Sequence, residues 1–503
     1  MMKRYYIGLC TLLMLLCVSC DLDYAPENTL VDEKVYRTER TTEAALMGCY
    51  VRLNIFLAGA PKDQNNYANL GYTYLMGDLG TENLKARSTM SSYLAMENSQ
   101  YSSSEHDGVL REMWYYGYNA IDFTNNVIVG VEKYAKYDEK KKRQYIAEAK
   151  FVRAYVYFSL LTIFGDQALL GNDSGDGLVV RLVPYNGYNP DEIQGRSSNA
   201  GCWTQIIKDL TEAVPDLPKD VPSPVERIRA NKSVAEALLS RVYLYKGTFM
   251  NNTEELTAAR DYAKNVLQAQ GYVFSSSSDE FKNALFPRNE YTQSGSYPDP
   301  TTRSKELIFY EPSRLYTDNY PNGLYYYQKR YYYIPQERLA LYEPDDVRLT
   351  YLIGMGSSSD SPNDVTCMKY SGGSQDDVIY IRLAEMKLTY AEALTRVADA
   401  VTDEAVSQLN DVRQRAFPDG KKPPLYTVSD FTSVEDFLKE LLRERNRELA
   451  YEGHYRWDLV RTNNLLGDTR LGAMEPACWN VPVPDYEIRI SYGEIEQNTG
   501  YTE

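Results

Sequence analysis

The segment Arg143–Phe164, RQYIAEAKFVRAYVYFSLLTIF, decides how the rest of the chain is read. Ile146, Ala149, Val152, Val156, Leu160 and Ile163 recur at helical steps, which places them on one stripe of an α-helix. The triplet Ala147-Glu148-Ala149 returns twice. One copy is Ala235–Ala237, in Ser233–Lys246 (SVAEALLSRVYLYK), and the other is Ala391–Ala393, in Arg382–Ala398 (RLAEMKLTYAEALTRVA). Those segments carry stripes of their own: Val234, Ala237, Leu238, Arg241 and Leu244, then Met386, Leu388, Ala391, Leu394 and Val397. Alanine in such stripes lets a second helix pack closely.

A further helical pattern follows each of the three, at Cys202–Ala213, Glu254–Gln270 and Asp403–Ala416. Thr41–Leu57 and Val109–Tyr134 supply a fourth pair. The expected fold is mainly α, with four helix–turn–helix units resembling tetratricopeptide repeats, although the spacing holds no fixed period. Long stretches rich in Gly, Ser, Pro and Tyr interrupt the pairs at Ala58–Asp107, Gly165–Gly201, Tyr272–Asp345 and Gly354–Asp377. Connections of this length are usually functional or mobile. The pattern describes a helical scaffold that presents a loop-built face, including a small sheet.

Bulk properties narrow the function. A chain of 503 residues, 43% of them hydrophobic, buries a large core without metal or disulfide staples. A net charge of −16 repels nucleic acid and anionic membrane surfaces. Tyrosine is in excess, 46 residues against 13 Phe. Tyrosine offers a flat apolar ring with a hydrogen-bonding tip, suited both to sugar-binding faces and to helix seams whose hydroxyls reach water.

Met1–Cys20 has the anatomy of a secretory signal: Lys3 and Arg4, the apolar run Ile7–Val18, then Ser19-Cys20. The run is too short to span a membrane. A small residue before Cys at its end resembles a bacterial lipobox, which implies cleavage after residue 19 and acylation of Cys20. Two or more acyl chains make a stable anchor. Cys49, Cys202, Cys367 and Cys478 remain in the body of the chain, widely spaced and without CxxC, which argues against metal clusters and redox motifs. One or two disulfides are compatible with that compartment.

Near the carboxyl end, Ser433 can cap a helix whose stripe is Val434, Phe437, Leu438, Leu441 and Leu449, with Asp436 at the capping-box position. Gly453 suits its stop. The run Glu444-Arg445, Glu448-Leu449, Glu452-Gly453, Arg456, Asp458-Leu459 and Arg461 follows. On these residues the chain resembles the SusD/RagB family of Bacteroidetes lipoproteins, with His454-Tyr455 shifting the basic residue from its commonest place. Phe164-Gly165-Asp166, Asn480-Val481-Pro482-Val483-Pro484 and Gln497-Asn498-Thr499-Gly500-Tyr501 extend the likeness over nearly the whole chain. The resemblance implies a signal peptide over 1–19 and one SusD-like domain over 20–503. Its helical scaffold would cover 36–270 and 378–465, with loop-rich insertions at 58–107 and 272–377. It also implies an outer-membrane, cell-surface location. The implied function is non-catalytic capture of an oligosaccharide, or in some members a peptide, for a SusC-like TonB-dependent transporter.

The charges at Glu444, Arg445, Glu448, Glu452, Arg456, Asp458 and Arg461 stand at helical spacing and read as a salt-bridge network that locks the last helix to the scaffold. Ligand contacts are expected from two aromatic and polar stretches. Asn66–Tyr101 offers Asp78, Asn83, Arg87, Tyr93, Asn98 and Tyr101, and Gly77-Asp78 with Glu82-Asn83 looks like the family's ligand-contacting stretch. Tyr291–Tyr333 offers Tyr291, Tyr297, Tyr316, Tyr320, Tyr326 and Tyr332. The triplets Tyr325–Tyr327 and Tyr331–Tyr333 could instead form a small hairpin, in which neighbouring rings point to opposite faces. Gly171–Gly177 faintly resembles a calcium loop but has Val183 where the ligating Glu belongs, so an Asp/Gly turn is expected. No cofactor or metal is implied. A glycoside hydrolase and a pure protein-interaction scaffold are the competing functions. No nucleophile elbow, HExxH or phosphate loop supports catalysis, and only His106 and His454 are present.

Overall fold

The computed structural model describes residues 32–501, apart from 64–65, 70, 87–93, 95–96, 99–100, 102–106, 188, 287–302, 313–331, 352, 356–364 and 370–376. Nine helices of 13 or more residues dominate these residues: α1 (Glu39–Ala58), α2 (Asp107–Tyr134), α3 (Glu139–Phe164), α4 (Asn199–Ala213), α5 (Lys232–Thr248), α6 (Thr253–Gln268), α7 (Leu383–Ala398), α8 (Asp403–Arg415) and α9 (Val434–Leu449). The first eight pack as four antiparallel pairs. Successive pairs stack through α2 on α3, α4 on α5 and α6 on α7, and α9 closes the array against α7 and α8.

Local chemistry sets the helix starts. Thr38, Asp138, Ser198, Asn231, Asn252, Thr402 and Ser433 each accept a hydrogen bond from a first-turn amide. These caps satisfy donors that have no partner within the helix. At α9 the Ser433 hydroxyl takes the Asp436 amide at 3.1 Å, while the Asp436 carboxylate reaches the Thr432 amide at 3.0 Å, one residue earlier than a capping box requires. Helix α3 departs from a one-sided stripe. From Phe151 to Phe164 every residue but Ser159 is buried, because α2, α4, α5 and a strand pair surround it.

The strands are short, and each pairs antiparallel with one partner. Ala60–Asp63 (β1) pairs with Asn66–Asn69 (β2), Lys85–Ala86 (β3) with Tyr332–Tyr333 (β5), Leu307–Glu311 (β4) with Val378–Arg382 (β8), and Ile353–Met355 (β6) with Val365–Cys367 (β7). β4–β8 lies in the interior, where Phe309 meets Phe151 and Tyr380 edge-on or tilted. One continuous core runs from Tyr36 to Ile495, and a smaller one joins α7, α8 and α9 through Leu388, Leu409, Phe437 and Leu441.

Glu148, Glu236 and Glu392, the central residues of the three Ala-Glu-Ala triplets, are all buried. Glu148 accepts from Tyr50 and Arg229, Glu236 pairs with Lys232, and Glu392 pairs with Arg396 and Arg461. Each triplet therefore carries an interior acceptor between two small residues. Cys49, Cys202, Cys367 and Cys478 are all free thiols. Asp176 of the Gly171–Gly177 turn bridges to Ser198 in a β-type pair, and no group of three metal-ligating side chains occurs among the described residues.

Candidate functional site

The charged run of the carboxyl-terminal helix is spent inside the protein. Glu444, Glu448, Glu452, Arg445, Arg456, Asp458 and Arg461 are all buried. Glu444 pairs with Arg348 at 2.6 Å and Arg447 at 2.9 Å. Glu448 meets Arg348, Arg382 and Arg415. Glu452 takes Lys369 at 2.5 Å and Arg382 at 2.8 Å. Asp458 bridges Arg445 and Arg461, and Arg461 continues to Glu392 on α7 at 2.7 Å. Arg456 donates to the Leu79 and Trp479 carbonyls. Burial alone would raise the Glu448 and Glu392 carboxyls, yet the surrounding guanidiniums hold both far below the usual range, Glu392 at about 2. These groups stay ionised and hold the last helix to α7, β8 and the loop after α1. Arg348, Arg382, Arg415, Glu306 and Lys369, which complete the network, carry no periodic signal in the sequence.

Asp78, Asn83, Tyr101 and Tyr332, expected as ligand contacts, are buried and closed to a ligand. The reason is a set of partners remote in sequence. Asn83 donates to Asp78 at 2.7 Å and to Asn446 at 2.9 Å, and its carbonyl accepts from Arg338 at 2.7 Å. Burial raises the Asp78 carboxyl to about 6, with hydrogen bonds from Asn83 and the Tyr451 amide restraining the rise. Tyr101 donates to the Met76 sulfur at 3.6 Å, and Tyr332 packs within β5. Asn98 is exposed and accepts from Arg470 at 3.2 Å. Arg87, Tyr93, Tyr291, Tyr297, Tyr316, Tyr320 and Tyr326 lie outside the described residues, as does Tyr325–Tyr327 of the expected hairpin.

The two nominated stretches nevertheless meet. β3 pairs with β5 through Lys85 opposite Tyr333 and Ala86 opposite Tyr332. Tyr332 is buried and Tyr333 half-buried, the alternation that a strand imposes. The junction is braced from both sides. Arg338 bonds Glu82 at 3.2 Å, Lys85 bonds Glu337 at 3.4 Å, and Glu82 accepts from the Thr469 amide at 3.0 Å and hydroxyl at 2.6 Å. Ile334 continues from β5 onto β7 through its amide and the Val365 carbonyl.

A well-formed cavity lies elsewhere. It has a volume of about 710 Å³ and lies between α2, residues 179–195 and residues 486–495. None of its lining residues belongs to the β3–β5 junction.

A profile of the SusD family matches residues 241–472. A second profile, described as starch-binding and associating with the outer membrane, matches residues 52–244. A SusD-like protein P2 from Formosa agariphila is 24% identical over 99% of this chain and its own full length. A SusD-like protein from Bacteroides ovatus is also 24% identical, over 93% of this chain and 84% of its own. Among solved structures, a SusD superfamily protein from Bacteroides thetaiotaomicron gives a TM-score of 0.72 at 22% identity, covering 92% of this chain and 99% of its own. A laminarin-binding SusD-like protein gives 0.66 at 21% identity, over 93% and 100%. At such identities the structural likeness concerns the fold.

Proposed function

We propose, from the premise that this chain belongs to the SusD family, that it captures an oligosaccharide at the cell surface without transforming it and passes it to a SusC-like TonB-dependent transporter. The observation that carries this reading is the β3–β5 ladder. Two stretches nominated independently for their tyrosines and polar groups, more than 200 residues apart, are anchored on the same two rungs. The ligand contacts are then Arg87, Tyr93, Asn98, Tyr291, Tyr297, Tyr316, Tyr320 and Tyr326, with rings stacking on the C–H faces of sugars and polar groups bonding the hydroxyls. Support for the ligand class comes from the starch-binding description of one matching profile and from the laminarin-binding protein of the same fold. Support for non-catalytic capture comes from the charged run, whose carboxylates are committed to buried arginines. An acylated Cys20 is the proposed anchor, and no described helix is long and apolar enough to cross a membrane.

Affinity electrophoresis through gels containing soluble starch, laminarin, xylan or pectin tests the reading. Retention by at least one polymer, reduced roughly tenfold or more when Tyr291, Tyr297, Tyr316 and Tyr320 are changed together to Ala, is expected. No retention by any polymer, or release of shortened glycan during incubation, overturns it. Changing Cys20→Ala should move the protein from the membrane fraction to the soluble one.

A further inference from the structure

The 710 Å³ cavity falls in the range of small-ligand sites, roughly 300–1,000 Å³. Its position is marked by where the protein leaves apolar surface in water. Nine large apolar side chains are exposed among the described residues. Tyr115 (57% exposed), Tyr185 (53%), Ile490 and Tyr492 (77%) line this one cavity, and Leu182 and Val183 flank it. A concentration of this kind marks an interaction site, whereas scattered single residues would not.

The wall formed by residues 179–185 is fixed before any ligand arrives. Tyr118 on α2 donates to the Val179 carbonyl at 3.0 Å. Tyr157 on α3 bonds both the Arg181 amide and the Arg181 carbonyl, at 2.7 and 2.8 Å. Asn125 donates to the Arg181 and Val183 carbonyls at 3.2 Å each, and Asp122 accepts the Tyr185 amide at 2.6 Å. Asn125 is itself held by Arg153, whose guanidinium pairs with buried Asp209 at 2.7 Å. Opposite this wall, Tyr492 is held at φ 55, beside Gly493 at φ 93. A tyrosine rarely adopts that left-handed conformation, and here it sits with its ring largely in solvent at the cavity.

Polar groups of the lining remain unspent. Asn119, Arg181 and Gln194 line the cavity, and their side chains have no hydrogen-bond partner among the described residues. Arg181 lies over the Tyr185 ring at 5.3 Å. A pyranose needs this combination: flat faces for its C–H surface, with amide and guanidinium donors beside them for its rim of hydroxyls. A protein partner would favour a broad face with a continuous apolar centre, whereas this site is a cavity whose lining mixes rings with polar groups.

We propose that this cavity is a second carbohydrate site, separate from the one hung on the β3–β5 ladder. Tyr115, Tyr185 and Tyr492 supply the stacking, and Asn119, Arg181 and Gln194 bond the hydroxyls. The ligand class rests on the capture reading, and the location does not. Two sites on one lipoprotein would engage a polymer at two points and raise retention beyond what either site gives alone.

The test uses the full mature protein in three forms: wild type, Tyr115→Ala/Tyr185→Ala/Tyr492→Ala, and Tyr291→Ala/Tyr297→Ala/Tyr316→Ala/Tyr320→Ala. Each is run through gels of soluble starch, laminarin, xylan and pectin, and each is titrated calorimetrically with oligosaccharides cut from the retained polymer. The cavity positions are exposed, so the first variant should fold, which its melting temperature checks. Expected are two oligosaccharides per wild-type chain, one for each variant, and polymer retention reduced roughly tenfold in the cavity variant. Unchanged stoichiometry and retention in the cavity variant would overturn the second site while leaving capture intact. Failure of the wild type to bind any polymer would overturn the capture reading and the sugar assignment together. Unchanged sugar binding with loss of a protein partner would make the cavity a protein interface instead.

Discussion

Gly77 and Gly453 lie backbone against backbone, so that a methyl group on Gly77 would fall on the carbonyl of Gly453. Next to this contact the Arg456 amide donates to the Gly77 carbonyl at 2.6 Å. Gly453 has φ 82, a conformation in which a side chain is strained. The two glycines thus join the loop after α1 to the turn after α9, across most of the sequence.

Gly77→Ala should therefore destabilise the fold by about 3 kcal/mol or more, since the backbone it meets cannot yield as a flexible side chain would. Urea unfolding measures the change. A loss under 1 kcal/mol would mean that the two segments can separate freely.

Removing the central acid of the buried network should cost as much. Glu448→Ala leaves Arg348, Arg382 and Arg415 short of a shared partner, and breaking a buried pair from one side costs about 3–5 kcal/mol. The expected result is a large drop in the unfolding midpoint, or insoluble protein. Exposed Glu435→Ala, which loses only the surface pair with Lys439, is the control and should change stability by less than about 1 kcal/mol.

Glu392 and Glu311 act on the pH dependence of stability with opposite sign. Glu392, ordinarily near 4.5, is held at about 2 by Arg461 and Arg396 against the effect of burial, so its contribution is complete above pH 4.5 and is lost as pH falls towards 2. Glu311 is raised to about 8 by burial, with Asp377 adding to the shift. It favours the folded state below pH 4.5, and that advantage is lost as pH rises to 8. Glu311→Gln should flatten the stability curve between pH 5 and 8, where the slope is at most about 1.4 kcal/mol per pH unit, and leave the acid limb in place. Melting temperatures across pH 3–9 check this. An unchanged slope between pH 5 and 8 would refute it.

Ser433→Ala removes the acceptor for the Asp436 amide at the start of α9 and should cost about 1 kcal/mol. Asp436→Asn should cost less, because an amide oxygen can still accept from the Thr432 amide. Denaturant midpoints of the two variants, read side by side, give the ranking.

The helices were legible in sequence because apolar residues recur at their step, and α7 and α8 begin and end within one residue of the expected segments Arg382–Ala398 and Asp403–Ala416. The start of α3 is earlier than its stripe, at Glu139, because Asp138 caps it and the first turn is all surface. The buried Glu148, Glu236 and Glu392 were not legible. Their flanking alanines announced close packing, but nothing local says that Arg229 or Arg461 will fold back to meet the acid. Distance in sequence also explains Asp78 and Asn83. Polar residues among glycines look solvated until Arg338 and Asn446 arrive from more than 200 positions away. The 710 Å³ cavity was hidden likewise. The Gly165–Gly201 insertion stood out by its length, but its union with the middle of α2 and with residues 486–495 leaves no pattern in the sequence.

The two rungs between Lys85–Ala86 and Tyr332–Tyr333 act as a common post that ties two distant parts of the sequence to one place. Sequence beyond those rungs can change without any demand on the helices below. Exchanging both stretches together between relatives, cut at the rungs, should therefore transplant ligand preference onto an unaltered frame, while exchanging one alone would leave half a grip.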